Sequence, residues 1–149
     1  MLQIGTELPD ITLENQDGEE ISLRSFIGKP IVIFFYPKDN TRVCTAQACS
    51  FRDRYEDFLE IGADVVGISH DSAASHKNVQ TRHKLPFNLL SDPKRKALKA
   101  FKVPSYLFGL LSARVTFIID STGKIIYHFR ADLKAEIHIQ KSLEILRSI

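Results

Sequence analysis

Apolar and polar positions follow two rhythms along this chain, and each rhythm marks a kind of element. Residues 11–23 (ITLENQDGEEISL) alternate with a period of two around Gln16-Asp17-Gly18, which predicts a β-hairpin near the N-terminus. Ile31 to Tyr36 is an unbroken apolar run between Pro30 and Pro37. Its length and β-branched content read as a strand buried on both faces. Over 44–60 the rhythm changes: Cys44, Ala48, Phe51, Tyr55 and Phe58 recur at helical spacing, and Gly62 follows as a stop. Residues 63–69 (ADVVGIS) predict a second core strand. Asp71 or Ser72 can then cap a helix running to about Lys84, ahead of Pro86. Asp92-Pro93 reads as the cap and first residue of a short basic helix ending at Phe101. Residues 115–119 (VTFII) predict a third core strand, 120–123 a turn, and 125–129 its hairpin partner. Helical spacing returns over 134–148 through Ile137, Leu143 and Leu146.

After the first hairpin the order is βαβα and then ββα. That alternation implies an α/β fold, with helices on both faces of a central sheet and right-handed crossovers between its parallel strands. At 149 residues the chain can bury one core, and no repeat or linker divides it, so one domain over 1–149 is expected. The net charge of +2 gives no ground for a polyanionic partner such as nucleic acid. The basic group Lys94, Arg95, Lys96, Lys99 and Lys102 reads as a solvated helix face. The apolar run 31–36 is far too short to span a bilayer. Residues 1–10 lack a basic region followed by an apolar core, so the expectation is a soluble cytoplasmic protein that does not engage a membrane.

The chemistry concentrates in two thiols, Cys44 and Cys49, the only cysteines of the chain. In a reducing compartment such a pair is more often catalytic, sensing or metal-binding than structural. Cys44 follows a buried strand and a short turn, at the start of a helix, where the helix dipole and a nearby cation favour thiolate over thiol. On an ideal helix Cys44 shares the apolar stripe, whereas Cys49 is rotated from it by about 140° toward a polar flank. Five residues of helix separate their Cα atoms by about 8.6 Å, beyond the roughly 4.4–6.8 Å that a disulfide needs. A Cys44–Cys49 bond therefore requires the first turns to unwind, which predicts a reduced helical conformer and an oxidised, locally unfolded one. Arg114, just ahead of the third core strand, is a candidate cation, although its position alone favours an ordinary surface arginine, and Thr41 can cap the helix or donate to the sulfur. Pro37 ends the strand and, lacking an N–H, can shield the thiol. No set of His and carboxylate residues completes a zinc pattern, so neither a metal nor a cofactor is expected.

These residues resemble the peroxiredoxins, in particular the Q type, also called bacterioferritin comigratory protein. The family's Pro-x-x-x-Thr-x-x-Cys motif stands here as Pro37, Thr41 and Cys44, and its second cysteine, five residues on, as Cys49. The flanking FFYPKDNT and ACSFRD and the later Arg-x-Thr-Phe-x-Ile-Asp of residues 114–120 are similar too, and the likeness runs from about residue 4 to the C-terminus. It implies a thioredoxin-like, three-layer fold and thiol-dependent reduction of hydrogen peroxide and organic hydroperoxides. It further implies that Cys44 is the peroxidatic thiolate, oxidised to a sulfenic acid and resolved by Cys49 as an intramolecular disulfide. Thr41 and Arg114 would polarise the peroxide oxygens, and thioredoxin or a similar dithiol would recycle the protein, working as a monomer or weak homodimer. Relatives carry Pro-Gly where this chain has Arg42-Val43, and often Glu in place of Gln47.

Other readings attach to the same residues. A redox-sensing or binding protein switched by a Cys44–Cys49 disulfide is the alternative to an enzyme. The absence of a Cys-x-x-Cys speaks against a disulfide reductase. Gln47 reads as a solvated helix residue outside the site, and His70, His76 and His83 as a partly exposed helix face. The apolar stretch 106–111 suits core, a pocket wall or a dimer patch equally.

Overall fold

The fold was read from a computed structural model that describes residues 1–106 and 111–149. Residues 11–23 form the expected hairpin, β1 (Thr12–Glu14) and β2 (Glu20–Ser22), followed by a 3-10 turn, Leu23–Phe26. Next come β3 (Ile31–Phe35), α1 (Arg42–Asp53), α2 (Tyr55–Glu60), β4 (Asp64–Ser69), α3 (Ala73–His83), β5 (Asn88–Ser91) and α4 (Lys96–Ala100). Two short strands, β6 (Ser105–Tyr106) and β7 (Leu111–Ser112), pair with each other, and the remaining apolar stretch 107–110 lies outside the described residues. The chain ends with β8 (Val115–Ile119), β9 (Ile125–Arg130) and α5 (Ala135–Arg147).

Seven strands make one mixed sheet in the order β2-β1-β5-β4-β3-β8-β9. The β3–β4 and β4–β5 pairs are parallel, as α1–α2 and α3 crossovers require, whereas β8 runs antiparallel to β3. Every residue of β3 is buried, and successive side chains feed opposite cores. Val32 and Phe34 join Val65, Leu89 and Ile118 under α1, α2, α3 and α5. Ile31, Ile33 and Phe35 join Val66, Leu90, Val115 and Phe117 under the N-terminal segment, the 3-10 turn and α4. This is a three-layer arrangement with helices on both faces of a central mixed sheet, as the alternation of elements implies.

Two details aim α1. Gly67 of β4 lies opposite Phe34 of β3, and a Cβ there would stand 2.7 Å from the Phe34 ring. The missing side chain lets that ring lie flat and stack on Phe51 of α1, with centroids 4.7 Å apart. The helix expected over 44–60 is also interrupted, because Arg54 leaves helical geometry at φ −108° and ψ 9°. Phe51 and Phe58, seven residues apart and so on one helical face, both stay fully buried across the break, in contact as rings 5.7 Å apart.

The short basic helix is also built differently from expectation. Asp92 does not cap a helix that starts at Pro93. The chain first turns through a left-handed Arg95, and α4 begins only at Lys96. The Asp92 carboxylate reaches forward instead to the N–H of Leu98 at 3.0 Å. Lys94, Lys96, Lys99 and Lys102 are exposed, in keeping with a solvated face.

Candidate active site

Strand β3 ends beneath the sulfur. Beyond Phe35 the chain passes through buried Tyr36 and Pro37, turns at Asp39-Asn40, and enters α1. The turn needs one left-handed residue, and Asn40 supplies it at φ 61°, a conformation that asparagine tolerates better than most side chains. Arg42 and Val43 are therefore ordinary first-turn helical residues, and no glycine is needed between Thr41 and Cys44. Thr41 is the N-cap: its Oγ1 accepts the N–H of Cys44 at 3.4 Å, and its hydroxyl donates to Lys38 O at 3.3 Å rather than to the sulfur.

Cys44 is buried and Cys49 half-buried, as the helical rotation between them implies, and both are free thiols on an intact helix. Arg114 approaches Cys44 from β8. Because Val115 pairs with Phe35 in the antiparallel register, the preceding residue stands beside the end of β3. Its Nη1 donates to Cys44 Sγ at 3.0 Å. Only 7% exposed, the guanidinium has little water to dilute that interaction. It is held in place on its other side, where Nε donates to Asp132 O at 2.9 Å and the backbone N–H donates to Asp132 Oδ1 at 3.1 Å. The same loop is pinned by His138 of α5, whose Nε2 donates to Ala131 O at 2.7 Å. That bond fixes the tautomer, so Nδ1 accepts the Thr116 hydroxyl at 2.6 Å. Burial holds the His138 imidazole below its ordinary pKa, helped by the charge of Arg114 and opposed by the bond to Ala131.

Gln47 belongs to this site, contrary to the solvated role expected of it. It is fully buried, and its Oε1 accepts Arg114 Nη1 at 3.3 Å, while its Nε2 has no partner. Helical spacing carried the signal, since position 47 lies one turn after Cys44 and one turn before Phe51. His76, expected on a partly exposed face, is likewise completely buried, one turn away from Val79. His70 and His83 are half-buried, and no metal-binding cluster of His, Cys, Asp and Glu occurs among the described residues. Of the five expected site residues, the structure brings Thr41, Cys44 and Arg114 together, with Pro37 buried in the turn that precedes them. Cys49 stands apart on the next turns of α1.

A thiol at a capped helix start, under a buried guanidinium, is equipped to attack an electrophilic oxygen. The AhpC/TSA family model matches residues 4–128. The chain belongs to the AhpC/TSA family. Peroxiredoxin Q of Oryza sativa subsp. japonica is 48% identical over 145 residues, covering 97% of this chain and 67% of that protein. Its Arabidopsis thaliana counterpart is 44% identical over 144 residues, with the same two coverages. Among solved structures, peroxidoxin BcpB of Mycobacterium tuberculosis superposes with a TM-score of 0.93 at 32% identity, covering 100% of this chain and 99% of that one. Xanthomonas campestris peroxiredoxin Q gives 0.88 at 29% identity, covering 99% and 96%. The resemblance to the Q-type peroxiredoxins therefore holds, and with it the activity of a thiol peroxidase, an antioxidant oxidoreductase using a peroxide and a thioredoxin-type reductant. The cytoplasmic expectation does not hold, because both plant relatives are named chloroplastic.

Proposed function

We propose that Cys44 is the peroxidatic thiolate and Cys49 the resolving thiol of a peroxidase for hydrogen peroxide and organic hydroperoxides, recycled by thioredoxin. The observation that carries this reading is the 3.0 Å contact from Arg114 Nη1 to Cys44 Sγ at the capped start of α1. In the first step the Cys44 sulfur attacks one peroxide oxygen. An S–O bond forms, the O–O bond breaks, and the departing oxygen leaves as water or an alcohol after taking a proton. Arg114 stabilises negative charge, first on sulfur and then on the departing oxygen. The Thr41 hydroxyl, now on Lys38 O, can turn to a peroxide oxygen, and buried Pro37 closes the site without competing as a donor.

In the second step the Cys49 sulfur attacks the Cys44 sulfenic acid. An S–S bond forms and water leaves, so the cysteine pair loses two electrons as the peroxide gains two. The thiols occupy an intact helix and cannot meet there, so α1 unwinds from its N-terminal turns before this bond closes. Incubation with peroxide, thioredoxin and its reductase tests the scheme. Wild type is expected to consume many reducing equivalents per chain, Cys44→Ser none. Cys49→Ser should oxidise once, fail to cycle, and accumulate sulfinic acid at Cys44. A single stoichiometric oxidation of wild type would instead make the pair a sensor, and normal cycling of Cys49→Ser would remove Cys49 from the mechanism.

A further inference from the structure

The turn that leads into α1 is tied down by a buried polar cluster that the two chemical steps leave unused. Asp39 is 4% exposed, and its carboxylate accepts Tyr36 Oη at 2.7 Å on Oδ1 and Ser75 Oγ at 2.7 Å on Oδ2. His76 Nδ1 stands 2.7 Å from the same Oδ2, and His76 Nε2 stands 3.1 Å from Leu90 O. A backbone carbonyl can only accept, so Nε2 carries a proton, and a second proton must lie between Nδ1 and Oδ2. The pair is thus neutral as a unit and bonded on all sides. Burial pushes the Asp39 carboxyl up, but the hydrogen bond and charge of His76, with the two hydroxyls, outweigh it and hold the carboxyl below its ordinary value.

Asp39 is anchored at its backbone as well, its N–H donating to Asp71 Oδ2 at 2.8 Å, while Asp71 also accepts Ser69 Oγ at 2.7 Å. One residue therefore fastens the Pro37–Thr41 turn to α3 by its side chain and to the end of β4 by its amide. The cluster reaches the sulfur: Tyr36, Asp39, Asn40 and Cys44 line one cavity of about 10 Å³. Cys44 is five residues from Asp39, at the N-terminal end of the helix that must open.

We propose that Asp39 and His76 are positioning residues that latch the reduced, helical conformer and release it when α1 unwinds for the Cys44–Cys49 bond. This rests on the peroxidatic and resolving roles given above. With the latch closed, the turn holds Cys44 beneath Arg114 for the first step. Because the latch favours the reduced form only, it opposes disulfide formation. It thereby lengthens the life of the sulfenic acid, which a second peroxide can convert to sulfinic acid.

The test compares wild type with Asp39→Asn, which keeps the size of the side chain, and Tyr36→Phe, which removes only one hydroxyl from the cluster. Equilibration against a thioredoxin dithiol reads the stability of the disulfide. Asp39→Asn is expected to favour the disulfide about tenfold, a potential about 30 mV more negative, and Tyr36→Phe about threefold in the same direction. Mass spectrometry after repeated turnover should find less sulfinic acid at Cys44 in both. A role confined to general stability would lower the melting temperature without moving the potential. If wild type forms the Cys44–Cys49 disulfide while both variants keep its potential and its sulfinic fraction, the latch is wrong and the roles of the cysteines survive. If wild type forms no such disulfide, the cysteine roles fail first.

Discussion

Gln47 offers the sharpest test of how the Cys44 sulfur is activated, because a one-atom change there alters charge without altering shape. Its Oε1 and the Cys44 sulfur share one donor, Arg114 Nη1, at 3.3 Å and 3.0 Å, so they lie no more than about 6.3 Å apart. Gln47→Glu places a second negative charge at that range. With an effective dielectric constant of about 20, two unit charges about 6.3 Å apart repel by about 2.6 kcal/mol, or a factor of about 80. The glutamate would also draw the guanidinium toward itself, and its other oxygen would occupy the buried place of Nε2, which has no partner. Both effects oppose the negative charge that the proposed first step places on the Cys44 sulfur, so in this chain, although relatives often carry Glu at this position, reaction with peroxide should slow by one to two orders of magnitude. The chain lacks tryptophan, so rapid mixing with hydrogen peroxide, acid quenching and mass-spectrometric counting of Cys44 oxidation is the suitable assay. A Cys49→Ser background isolates the first step. Gln47→Met, which removes the acceptor without adding charge, serves as the control and should lose far less. A Gln47→Glu protein that reacts within about threefold of wild type would refute the electrostatic reasoning.

Two further outcomes concern the scaffold behind the site. His138 is buried and held below its ordinary pKa, first by burial and then by Arg114. Its unfolded form binds a proton near pH 6.5 while the folded form does not, so stability falls as pH drops below about 6.5 toward the folded value. Urea midpoints between pH 7.5 and 5 should show that loss in wild type and a smaller one in His138→Gln; equal slopes would mean that His138 does not carry it. Gly67→Ala should cost about 1–3 kcal/mol, because the new methyl must displace the Phe34 ring 2.7 Å away and the Leu89 side chain 2.9 Å away. An unchanged urea midpoint in the Gly67→Ala protein would show that the Phe34–Phe51 stack has slack.

What could be read from the chain and what could not divide along a physical line. The hairpin at Asp17-Gly18, the strand 31–35 and the rotation of Cys49 away from Cys44 follow from local periodicity, and local periodicity is present in one sequence. Partners across the fold are not. Arg114 and Cys44 are seventy residues apart, and their contact depends on the register that sets Val115 opposite Phe35. Only the family motif anticipated it. Gln47 and His76 depart from expectation for a related reason: polarity points Gln47 to solvent and His76 to a partly exposed face, yet each lies one turn from a buried apolar residue, Phe51 and Val79 respectively. Helix α3 makes the point most clearly. Val79 is the only large apolar residue in its eleven positions, too little to seat a helix on a sheet by itself. Some polar side chain must then complete the inward face, and burying it demands partners for each of its polar atoms. His76 meets that demand with Asp39 on one ring nitrogen and Leu90 O on the other. The weak apolar face of α3 and the firm hold on the turn before Cys44 are therefore one feature: a helix short of apolar contacts is seated by the same hydrogen bonds that fix the reactive sulfur.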